Sequence, residues 1–137
     1  MFKNLRRSIR EDDYLPITVS AQNGVTGVAL TDLFPCHIIN ISNHGACLFI
    51  TRVMEGSFHI FHSVRKNKDL LLQLQLILTP DDKTITLTAL PAWLNLFQSN
   101  RGFKMGVKFT PSTETHMEQI QASLKPHQKE RRERFHF

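Results

Sequence analysis

Arg6 and Arg10 are separated by three residues in the opening segment RRSIR, with Arg7 beside them, and Asn40, Ser42 and Gly45 follow in the stretch NISNHG. Arginine carries a planar, permanently charged fork that grips an anion such as phosphate in two places. Asparagine both donates and accepts hydrogen bonds, and serine offers a hydroxyl. Glycine admits close backbone approach and conformations closed to other residues. Each segment alone is commonplace, since spaced arginines occur in basic tails and Asn-x-Ser-x-x-Gly suits any turn between strands. Together they supply the groups that a small anionic ligand needs, provided that the fold brings the two segments together.

The charge distribution favours a small ligand over a polymer. The chain has 137 residues, with 17 basic and 12 acidic side chains and a net charge of +5. Residues 1–13 carry +1, residues 14–124 carry +1 and residues 125–137 carry +3. The body is therefore nearly neutral, which fits poorly with a general polyanion binder. The longest apolar run, Leu70 to Leu78, is broken by Gln73 and Gln75 and is too short to cross a bilayer as a helix. The opening residues hold no apolar signal region, and the two cysteines, Cys36 and Cys47, suit a reducing compartment, so a cytoplasmic protein without a disulfide framework is expected.

The elements that must position the two segments are mostly strands. Tyr14 to Ser20 alternates apolar and polar residues, and Cys36 to Ile41 and Ala46 to Ile50 flank an Asn43-His44-Gly45 turn as a hairpin. Residues 51–69 read as a long connection with room for a short helix. Leu72, Leu74, Leu76 and Leu78 share one strand face opposite Gln73 and Gln75. Thr84 to Phe97 returns, with Pro91 marking a bulge, bend or edge, and Phe103 to Phe109 is its partner. Turns are expected at residues 80–83 and 99–102. Thr115 to Glu118 has a capping-box pattern, and Met117, Ile120 and Leu124 recur at helical spacing. The expectation is a mainly β fold, a small antiparallel barrel of six or seven strands closed by a C-terminal α-helix.

The two motifs, in this order and at the edge of such a domain, resemble the PilZ domain, a bacterial receptor module for cyclic di-GMP with the signature RxxxR followed by [D/N]xSxxG. Leu87 to Trp93 and the Gly-x-x-Phe of Gly106 to Phe109 resemble that family's late strands. The similarity runs over about residues 4–124. It implies a split-barrel fold in which Arg6 and Arg10 contact phosphate and the guanine edge or face, with Arg7 as a third cation. It further implies that Asn40 bonds a guanine edge, Ser42 reaches a phosphate oxygen and Gly45 lets the turn form. Asn40 replaces the more frequent Asp and carries no charge, which predicts a weaker contact to a guanine amine. On this reading residues 1–13 are a mobile arm that folds over the ligand, residues 14–124 are the barrel with its helix, and residues 125–137 are a basic tail. The output is a signal to an unidentified protein effector.

Other chemistries have less to stand on. His59 and His62 lack a third ligand at metal spacing, and no residue pattern singles out a nucleophile with a base and an orienting group. Neither a metal, a cofactor nor an enzymatic activity is expected. Trp93 and the ten phenylalanines are assigned to core and edge packing, and Cys47 to the core. Two rival functions remain open: a PilZ-like interaction part of type IV pilus assembly that binds no nucleotide, and a basic small-barrel nucleic-acid binder.

Overall fold

The fold is that of a computed structural model that describes residues 15–78, 83–97 and 101–124. Six strands close an antiparallel barrel: β1 (Leu15–Asn23), β2 (Phe34–Ile41), β3 (Gly45–Ile50), β6 (Leu70–Leu78), β7 (Lys83–Phe97) and β8 (Gly102–Phe109), in the order β1-β2-β3-β8-β7-β6. Alternation along each strand decides what faces inward. Ile17, Val19 and Ala21 of β1 meet Leu72, Leu74 and Leu76 of β6, and all six are buried in one core with Leu48, Ile50, Leu87 and Met105. Cys36 lies in that core, where burial pushes its thiol up to about 12. The alternation over Leu70 to Ile77 thus did what a half-buried strand requires, with Gln73 and Gln75 on the outer face.

Each barrel end is stoppered by a connection. Residues 51–69 form a two-strand ribbon of β4 (Met54–Glu55) and β5 (Phe58–His59), then the short helix α1 (His62–Arg65). Ile60, Phe61 and Val64 from this stretch are buried in the core at the end where β6 begins. At the opposite end, where β8 finishes, the chain turns into α2 (Pro111–Glu114) and a further helix, α3, over 117–124. Met117 and Leu124 are buried and Ile120 is packed against them. The expected helix is therefore present, but it is broken at residues 115–116 and starts earlier, at Pro111, whose fixed φ suits a first helical position. The Thr115 hydroxyl donates back to the Pro111 carbonyl at 2.9 Å, closing α2.

Candidate functional site

Two β-bulges shape the outer face of the β2-β3-β8-β7 side of the barrel. In β2, Ile38 pairs with Leu48, yet Asn40 pairs with Cys47, so Ile39 is an extra residue. Were Ile39 in a regular ladder position, the alternation that buries Phe34, Cys36 and Ile38 would send Asn40 into the core; because Ile39 is taken up in the bulge, Asn40 is exposed. In β7 the same shift falls between Pro91 and Trp93, with Ala92 as the extra residue. Pro91 is buried with Leu87 and Ala89, but Trp93 points out and is 42% exposed, while Leu94 takes the inward place. The Arg65 guanidinium of α1 donates to the Ala92 carbonyl at 3.2 Å and so occupies a backbone acceptor at the bulge.

The shifts align four outward residues in one cross-strand row. Asn40 is opposite Cys47, Cys47 opposite Gly106, and Gly106 opposite Trp93. The two middle residues are small, so the row is a trough with Asn40 on one side and the indole on the other. The indole lies against Gly106 so closely that a Cβ there would stand 2.2 Å from the ring. Ser42, Gly45 and Lys104 join the row in lining a pocket of about 400 Å³, within the range of small-molecule sites. Burial raises the Cys47 thiol, and the nearby Lys104 charge partly offsets this. Cys47 is buried as expected, though it faces this outer side and lies outside the main core cluster; Trp93, expected in core and edge packing, stands in the pocket wall.

The motif turn closes one end of the trough. The Ser42 N–H donates to the Gly45 carbonyl at 2.9 Å, and the Ser42 hydroxyl oxygen accepts from the N–H groups of His44 at 3.2 Å and Gly45 at 3.3 Å. This is the side-chain turn that Ser favours, and it explains the Ser by architecture. Gly45 is required by crowding: a Cβ on it would lie 2.2 Å from the Val107 carbonyl oxygen of β8. Its φ is not in the left-handed region, which among the described glycines is taken by Gly27 and Gly56. Of the two uses expected of Gly45, the structure shows close backbone approach and not a left-handed conformation. The turn is also clasped from the C-terminal side, by His44 Nδ1 with Glu114 Oε2 at 2.7 Å, by Gln121 donating to Asn43, and by the Phe109 N–H donating to the His44 carbonyl at 2.8 Å.

Asn40, Ser42 and Gly45 are thus brought together at one pocket, whereas Arg6, Arg7 and Arg10 lie outside the described residues. Leu15 opens β1 opposite Ile38, two residues before Asn40. His59 and His62 have ring centroids 4.4 Å apart, but His59 Nδ1 accepts from the N–H groups of Phe61 and His62, and no group of three metal-ligating side chains is found among the described residues. Among the described residues no helix is long and apolar enough to cross a membrane.

Residues 4–125 match the PilZ domain family, nearly the whole length of the chain. The chain belongs to that family. This PilZ chain is also similar in fold to Klebsiella pneumoniae MrkH in its apo state, with 14% sequence identity and a TM-score of 0.47 over 83% of this chain. The chain spans 48% of the length of MrkH. No curated protein matches it. Of the pocket residues, Gly106 was legible in the family's Gly-x-x-Phe pattern. Trp93, Cys47 and Lys104 were not, because their outward position depends on registers across four strands.

Proposed function

We propose that this PilZ domain is a cyclic di-GMP receptor whose ligand lies in the trough between Asn40 and Trp93. The observation that supports it is the row Asn40-Cys47-Gly106-Trp93, a flat-floored slot with a hydrogen-bonding edge at one side and an aromatic wall at the other. A guanine edge meets the Asn40 amide and its face meets the indole. Ser42 serves twice: its oxygen shapes the turn, and its proton, held to the Gly45 carbonyl by a long 3.3 Å bond, turns to a phosphate oxygen. Arg6 and Arg10, with Arg7 beside them, close over the nucleotide as the charged half of the clamp. The resulting order in residues 4–10 is the signal read by a protein effector.

Calorimetric titration with cyclic di-GMP, with GTP and cyclic di-AMP as controls, tests this reading. Binding of cyclic di-GMP in preference to both controls is the expected result. Arg6→Ala, Arg10→Ala and Asn40→Ala should each weaken it by about 1–3 kcal/mol with the fold retained. Equal affinity in all three variants and the wild type would reject the site. A nucleic-acid binder would instead prefer an oligonucleotide and lose affinity steeply with salt.

A further inference from the structure

The signature motifs leave one charged pocket residue without a role. Lys104 is the sole ionisable lysine, arginine or carboxylate among the described residues that line the trough. It stands on the outer face of β8 two residues before Gly106, in the next cross-strand row, opposite Phe49 and Asn95. Among the described residues the ion pair present joins His44 to Glu114, and no described carboxylate pairs with Lys104. Its ammonium rests over the Phe97 ring, 4.8 Å from the centroid, and that ring meets Phe49 edge-on at 5.4 Å. A cation over a partly exposed ring is held weakly compared with a charge-assisted hydrogen bond to phosphate. An ammonium without a described carboxylate partner, at the wall of a pocket whose described lining holds no acidic group, favours an anion.

We infer that Lys104 is a direct ligand-binding residue of this site, contacting a phosphate of the bound nucleotide from the side of the trough opposite the motif turn. The inference rests on the cyclic di-GMP reading and adds to it a cation carried by the barrel wall itself. Lysine binds phosphate as a point charge, so arginine at the same place serves as well, whereas an uncharged chain of similar length does not.

The test is calorimetric titration of cyclic di-GMP into wild type, Lys104→Met, Lys104→Gln, Lys104→Arg and Asn40→Ala, at about 50 mM and about 500 mM salt. Methionine keeps an apolar stem against Phe97, and a thermal melt of each variant checks the fold. Lys104→Met and Lys104→Gln should bind about tenfold more weakly at low salt, with a smaller salt dependence than wild type, and Lys104→Arg should restore both. Wild-type binding that Asn40→Ala weakens while Lys104→Met and Lys104→Gln match wild type at low salt overturns the role of Lys104 alone. No binding by the wild type overturns this inference and the receptor reading together.

Discussion

Gly45 and Gly106 are both crowded, but by different neighbours, and the difference predicts different consequences. A Cβ on Gly45 meets the backbone of Val107, which is fixed by the β3-β8 ladder. A Cβ on Gly106 meets the Trp93 indole, a side chain on the outer surface that can move away. Gly45→Ala should therefore destabilise the barrel by about 1–3 kcal/mol, read from the denaturant midpoint. Gly106→Ala should cost less stability yet displace the indole and weaken ligand binding. If the two substitutions destabilise equally, the indole is held as rigidly as the ladder and the argument fails. Trp93 is the single tryptophan of the chain, so its fluorescence reports on the pocket directly. Adding cyclic di-GMP should change the emission, and Trp93→Ala should weaken binding by about 1–3 kcal/mol, the usual worth of one stacked base.

At the scale of elements, the strands were legible because period-two burial is written into residues such as Leu72, Leu74 and Leu76, but the site depends on where that period slips. Pro91 announced its irregularity, since proline cannot serve a central ladder. Nothing announced the bulge at Ile39, because isoleucine is an ordinary strand residue and the extra position is visible only against Leu48 and Cys47 of the neighbouring strand. For the same reason Asn40 was found through its motif, and Trp93 was read as core and edge packing and not as a pocket wall. Deleting Ala92 removes the slip in β7 but makes Trp93 the residue after inward Pro91, so period-two alternation keeps the indole outward opposite Gly106 and Leu94 inward. The expected result is a tryptophan emission close to that of wild type. A strongly blue-shifted emission would show that alternation from Pro91 does not set the orientation of Trp93.

For the whole molecule, a barrel of this size needs both ends shut, and one of the two stoppers carries a titratable group at its hinge. His59 Nδ1 accepts from the N–H groups of Phe61 and His62, each at 3.1 Å, and so holds the entry to α1, just where Ile60 and Phe61 turn into the core. A nitrogen that accepts must be unprotonated. Burial, and after it the neighbouring His62, lowers the pKa of His59 from its ordinary value of 6.5. A lowered histidine pKa means that the unfolded chain binds the proton more readily than the folded one. The stabilisation is therefore complete above pH 6.5 and is lost as the pH falls through the lowered folded-state value. Replacing His59 with alanine removes the acceptor at every pH. The difference in denaturant midpoint between wild type and His59→Ala should accordingly be largest near about pH 8 and shrink towards about pH 5. A difference that stays constant across that interval would mean that the ring stabilises the stopper by packing alone, with no contribution from the unprotonated nitrogen.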